Sequence, residues 1–144
     1  MTRRIVILGG GTGGTLVANR LHRHYRKAHG DVAVTVIDQD NHHVYQPGLL
    51  FVPFGLANGH EIVRPRHQQL HNDVEFIESG IDHVDCEHDI VVLADGRQVG
   101  YDLLVIATGS RLAVDETEGL SGPGWNEKVF TFYDLAGATA LESA

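Results

Sequence analysis

The feature that most constrains this chain is the stretch Ile5 to Thr15, Ile-Val-Ile-Leu-Gly-Gly-Gly-Thr-Gly-Gly-Thr, where an apolar run breaks into glycines and then turns helical. Gly9, Gly11 and Gly14 fit the G-x-G-x-x-G spacing. In that pattern the first glycine makes a tight turn, the second lets backbone approach a pyrophosphate, and the third lets the helix pack on the strand. The anion sits at the helix N-terminus, where unpaired N–H groups and the positive end of the dipole point at it, so no lysine is required. The absence of Gly-Lys-Ser/Thr after the glycines excludes a Walker-type loop.

A glycine pattern alone is weak, and its neighbours decide the reading. Leu16 to Ala28 carries apolar side chains at Val17, Leu21, Tyr25 and Ala28, a helical spacing, with Gly30 as the stop and Arg23, Arg26 and Lys27 near the C-terminal end of the dipole. A second apolar run, Val32 to Ile37, ends in Asp38, 24 positions beyond Gly14. An acidic residue at the tip of the second strand, roughly 20 residues past the glycines, suits a ribose hydroxyl pair. The two signals together predict a dinucleotide site.

The rest of the chain supplies the sheet. Val74 to Ile77 reads as a third core strand. Ile81 to Cys86, Ile90 to Leu93 and Gln98 to Val99 read as a β-meander with an Asp95-Gly96 turn. Asp102 to Ala107 is apolar on both faces, as a buried central parallel strand would be, and ends in Thr108-Gly109-Ser110 on the rim where open α/β sheets bind ligands. The expected fold is therefore a Rossmann-like, three-layer α/β domain with a parallel sheet and an inserted β-meander.

Between Gln39 and Gly59 lies a segment with two prolines and dense apolar content, a poor solvent loop and a poor regular helix. It is either the wall of a large cofactor site or a packing surface for another domain. Glu61 to Leu70 reads as weakly helical. His67 and His71 stand four apart without a completing carboxylate, and adjacent His42 and His43 point to different sides, so the sequence predicts no metal site. Near the C-terminus, Asp134 is placed to cap a helix from Leu135, and the chain is expected to stop inside that helix, as a longer protein cut short would.

At 144 residues the chain suits one domain, 1–144, and a 42% hydrophobic content without a membrane-length run suits a globular segment. The net charge of −8 argues against a nucleic-acid surface. Met1 to Leu8 is too short for a secretory signal, so the expected location is cytoplasmic. One cysteine, Cys86, excludes an internal disulfide, and its neighbours Asp85, Glu87 and His88 favour a structural over a redox role.

Together these residues resemble the N-terminal FAD-binding segment of the pyridine nucleotide-disulfide oxidoreductases, and within them the sulfide:quinone oxidoreductases and flavocytochrome c sulfide dehydrogenase flavoproteins. Gly9 to Gly14 and Tyr101 to Gly109 carry the superfamily likeness. Tyr45-Gln46-Pro47-Gly48-Leu49-Leu50, Glu116 to Leu120 and Phe132 to Ala138 carry the narrower one. Type II NADH dehydrogenases share the Asn-His-His and Gln-Pro features and are the alternative; a stand-alone, non-catalytic nucleotide-binding module is another.

The resemblance implies FAD as cofactor. Gly9, Gly11, Thr12, Gly13 and Gly14 would lie at its pyrophosphate, Asp38 and Gln39 at the adenosine ribose, and Ile81 at the adenine through its backbone. Ala107, Thr108 and Gly109 would line the cofactor, with Pro47 toward the flavin end. Asp38 stands where family members often have Glu. The resemblance further implies quinone with sulfide, or NADH, as partners of a full-length parent. Peripheral membrane contact through a C-terminal region, and homo-oligomerisation, belong to the same expectation. Cys86 matches neither catalytic cysteine of the sulfide enzymes, so the 144 residues alone are expected to be inactive.

Overall fold

The computed structural model describes residues 2–28 and 31–144. In chain order its elements are β1 (Arg3–Leu8), α1 (Thr12–Lys27), β2 (Val32–Asp38), β3 (His42–Val44), 3-10 turns at Gln46–Leu50 and Val52–Phe54, β4 (Val63–Pro65), and a 3-10 turn at Arg66–Gln69. β5 (Glu75–Glu78), β6 (Ile81–Asp85), β7 (Ile90–Leu93), β8 (Gln98–Gly100), β9 (Leu103–Ile106), a 3-10 turn at Val114–Glu116 and α2 (Leu135–Glu142) follow. The chain divides into two compact units, Met1–His43 with Pro65–Gly109, and Val44–Arg64 with Ser110–Ala144.

The first unit is built on a parallel sheet in the order β5-β2-β1-β9. β1 pairs with β2 from Arg3 opposite Val32 to Leu8 opposite Ile37, and with β9 from Ile5 opposite Leu103 to Leu8 opposite Ile106. Alternation along β1 serves two layers at once. Ile5 and Ile7 join Val34, Val36 and Ala18 in a core with Val17, Leu21 and Tyr25 of α1. Val6 and Leu8 face the other way, onto Val91, Leu93 and Tyr101 of the antiparallel meander β6-β7-β8 and its exit. Ile5 to Leu8 are each at most 3% exposed. Fully burying a side chain of that kind stabilises by about 1.5–3 kcal/mol, so this one strand anchors both faces. Helix, sheet and meander form the three layers, and the fold is the Rossmann-like α/β arrangement with an inserted meander that the motifs predict.

Local expectations are met in some places and corrected in others. α1 begins at Thr12, directly out of the glycine turn as the motif predicts and ahead of the apolar spacing that starts at Leu16. Thr-Gly-Gly-Thr is a poor helix start by propensity, but packing of Gly14 on the Gly9 carbonyl overrides it. Gly30, the predicted stop, lies outside the described residues. Glu61 to Leu70 is not one weak helix: Pro65 disfavours helical angles in the residue before it, and the segment becomes β4 followed by a single 3-10 turn. β9 is an edge strand rather than a buried central one, with Ile106 72% exposed and β1 its one partner among the described residues. The last helix is capped by Asp134 as predicted, its carboxylate accepting from the Gly137 N–H (2.7 Å), and spans Leu135–Glu142.

The second unit has its own small core of Leu49, Val52, Ile62 and Ala138, with Val44, Ala57, Val63 and Leu135 packed around it. Pro47 and Pro53 stand second in their 3-10 turns, where the missing proline N–H leaves no helical bond unmade. Leu49 and Val52 turn inward while Leu50, Phe51, Phe54 and Leu56 stay exposed. No helix among the described residues is long and apolar enough to cross a membrane.

Candidate functional site

The glycine turn sits at the carboxyl end of β1. Gly9 adopts φ +93, a left-handed conformation that only glycine takes without strain, and a Cβ there would run into the Ala107 carbonyl of the neighbouring strand. Gly14 is buried against the Gly9 carbonyl, leaving no room for a side chain. Gly11 and Gly13 differ: a Cβ on either would meet nothing within 4 Å. The turn is therefore closed where it packs and open where a ligand would approach.

Electrically the turn is left for an anion. Gly11 caps α1 without a side-chain hydrogen bond, and the first turn holds no acidic residue, while His24, Arg26 and Lys27 occupy the last turn. The first N–H groups of a helix have no intrahelical acceptor, and a pyrophosphate satisfies them while meeting the positive end of the dipole. These residues fit a dinucleotide pyrophosphate.

Asp38 ends β2 beside this turn. Its Oδ2 accepts the Gly10 N–H at 2.7 Å and lies 3.3 Å from Nη1 of Arg66, leaving Oδ1 without a hydrogen bond among the described residues. The Arg66 side chain is 9% exposed. Its Nε donates to the Asp40 carbonyl (3.0 Å), and its Nη2 to Asp40 Oδ1 (3.0 Å) and the His42 carbonyl (2.8 Å). Burial raises the Asp40 carboxyl, but the His42 N–H and the Arg66 guanidinium outweigh it and hold that group below its ordinary value. A guanidinium beneath Gly10 thus ties the glycine turn to the end of β2, and a Cβ on Gly10 would run into the Arg66 side chain. Sequence reading missed Arg66. Its carboxylate partner Asp40 lies 26 positions away, and no local pattern marks it.

The other predicted residues fall along the same carboxyl edge. Gln39 is exposed next to Asp38, and Thr12 and Gly13 are exposed at the start of α1. Ser79 donates its N–H to the Asp38 carbonyl (2.8 Å), and Ile81 opens β6 two residues later. Ala107 donates its N–H to the Leu8 carbonyl (2.7 Å), which sets Ala107, Thr108 and Gly109 beside the glycine turn. Pro47 belongs to the second unit. There it helps line an apolar groove of about 600 Å³ with Leu49, Leu50, Phe51, Leu112, Phe130 and Phe132.

A parallel sheet whose strand ends carry a glycine turn, an uncapped helix N-terminus and a terminal acid defines a dinucleotide-binding α/β domain. Residues 3–144 match the family described as pyridine nucleotide-disulphide oxidoreductase. The chain belongs to this flavin-dependent family of oxidoreductases.

Among curated relatives, it is 31% identical to the mitochondrial sulfide:quinone oxidoreductase of Dictyostelium discoideum over 81% of this chain and 25% of that protein. It is 32% identical to the type II NADH:quinone oxidoreductase of Mycobacterium tuberculosis over 74% of this chain and 23% of that protein. The chain thus spans about a quarter of the length of the curated relatives it matches. Its fold superposes on the sulfide:quinone oxidoreductase of Aquifex aeolicus with a TM-score of 0.80 and 23% identity, covering 99% of this chain and 31% of that one.

Proposed function

We propose that this chain is the FAD-binding portion of a flavin-dependent oxidoreductase of the sulfide:quinone type. The observation that carries the reading is the glycine turn: Gly9 and Gly14 are closed by packing, whereas Gly11 and Gly13 face open space at a helix start with neither a side-chain cap nor an acid. In this reading the backbone from Gly9 to Gly14, with Thr12 and Gly13 at the first helical turn, holds the FAD pyrophosphate. Asp38 offers its remaining oxygen to the adenosine ribose beside Gln39. Backbone at Ile81 meets the adenine, and Ala107, Thr108 and Gly109 line the cofactor. Pro47 is assigned on the family resemblance alone.

Bound there, the flavin would supply two-electron redox chemistry between a donor and a quinone. The chain's own contribution is binding and orientation. Sulfide as donor follows the narrower motifs, Tyr45 to Leu50, Glu116 to Leu120 and Phe132 to Ala138, and the Dictyostelium relative. NADH as donor is the second reading, favoured by the 32% identity to the mycobacterial NADH:quinone oxidoreductase. Homo-oligomerisation and peripheral contact with a membrane are carried over for the longer protein.

Calorimetric titration of the chain with FAD and with NADH tests the reading. FAD binds measurably, and Asp38→Asn, which keeps an acceptor for Gly10, weakens it by about 1–3 kcal/mol. NADH binding tighter than FAD, or unchanged FAD affinity in Asp38→Asn, overturns the assignment. In the longer protein, sulfide-dependent against NADH-dependent quinone reduction separates the two donors.

A further inference from the structure

Away from the glycine turn, on the first unit, α1 and the loop before β5 bring together two imidazoles and a carboxylate. His22 Nε2 and His71 Nδ1 each lie 3.6 Å from Oδ2 of Asp73. The three donor atoms all lie within 4.8 Å of one another, and this is the one such group of histidine, cysteine or acidic side chains among the described residues. The His22 side chain is 12% exposed, and its Nε2 is buried without a hydrogen-bond partner among the described residues. A buried polar nitrogen left unpaired costs free energy, and native structures seldom leave one without a reason.

We propose that His22, His71 and Asp73 form a binding site for a divalent transition-metal ion of the zinc class. Two imidazoles and one carboxylate are the donor set of borderline ions; calcium and magnesium prefer all-oxygen shells. With metal–ligand bonds of about 2.0–2.2 Å, neighbouring donors of a tetrahedral site stand about 3.3–3.6 Å apart. The two histidine–aspartate separations of 3.6 Å are already close to that edge. Closing the third edge requires rotation at His71 and Asp73, whose side chains are 38% and 66% exposed, while buried His22 stays fixed. The His71 ring stacks on His22 with centroids 4.0 Å apart, and this stack opens as the His71 ring turns its Nδ1 to the ion. Water fills the fourth position.

Two features hold the donors ready. The Asp73 N–H donates to the lone pair of His71 Nδ1 (3.2 Å), a bond the ion would replace, and it holds that nitrogen beside the Asp73 carboxylate. Asn19, one turn before His22 on α1, accepts the His71 N–H (2.8 Å) and donates to the Gln69 carbonyl (2.8 Å), fastening the loop backbone to the helix. The site uses no residue of the nucleotide turn and stands independently of the FAD reading.

The test is titration of the chain with Co²⁺, read by its visible ligand-field absorption, with Zn²⁺ as competitor. The chain takes up one equivalent with tetrahedral-type absorption, which Zn²⁺ abolishes. Asp73→Asn, at an exposed position that preserves the fold, weakens binding about tenfold or more, as does His71→Gln. His83→Gln and His88→Gln, at histidines each paired with a single aspartate, leave it unchanged. Absence of Co²⁺ uptake by the unaltered chain overturns the proposal. Equal affinity in Asp73→Asn and the unaltered chain, both folded by circular dichroism, overturns it as well.

Discussion

Gly11 and Gly14 belong to one motif and do different physical work. Gly14 has no room for a methyl group because the Gly9 carbonyl occupies it, whereas Gly11 faces open space. Gly14→Ala is expected to cost about 1–3 kcal/mol or more of stability by overpacking, measured by urea denaturation. Gly11→Ala is expected to fold with near-native stability and to lose FAD affinity, because the added methyl enters the space a pyrophosphate would take. A stable Gly14→Ala, or full FAD affinity in Gly11→Ala, would show that the roles are misassigned. The glycines and Asp38 were legible in the sequence because their spacing is local and their chemistry is tied to backbone shape. Arg66 was not: its partners are carboxylates and carbonyls that only the fold assembles around it. The His22–His71 stack was hidden for the same reason, since 49 positions separate its members and the visible pairing, His67 with His71, is not the one formed.

Elements were easier to read than their edges. β1 was visible as an apolar run and the three short strands of the meander by the Asp95-Gly96 turn between the last two, and the Asp134 cap as an acceptor three residues before the Gly137 N–H it receives. Asp134→Ala is expected to destabilise the chain by about 1 kcal/mol, with loss of helical signal confined to Leu135–Glu142. An unchanged denaturation midpoint would mean that α2 is held by the packing of Ala138 and Leu135 rather than by its cap. β9 was misplaced because an apolar run shows that a strand can be covered on both faces, not that it has a neighbour on each edge. Glu61 to Leu70 misled because Pro65 suits both a helix start and an extended strand end, and pairing of β4 with β3 decides for the latter.

Across the whole molecule, acid should loosen the fold. The Arg4 side chain, by its hydrogen bond and then with its backbone N–H and its charge, holds the Asp102 carboxyl below its ordinary value, and Asp40 is lowered beside Arg66. A carboxyl depressed on folding contributes stability above its unfolded value, near 4, and loses it as pH falls through the folded value. The urea midpoint should therefore hold steady through these groups from about pH 7 to pH 5 and fall below about pH 4, less steeply in Asp102→Asn. An identical acid limb in that variant would remove the Arg4–Asp102 pair from the account. The same pair spans 98 positions, because β9 closes onto β1 only after the meander has been made. During synthesis, β1 leaves the ribosome well before β9 and acquires β2 soon afterwards. Its other edge waits for Leu103–Ile106. Such non-local closure slows folding and leaves an unpaired edge open to another nascent chain, so the yield of folded protein should depend on how quickly Leu103–Ile106 arrive.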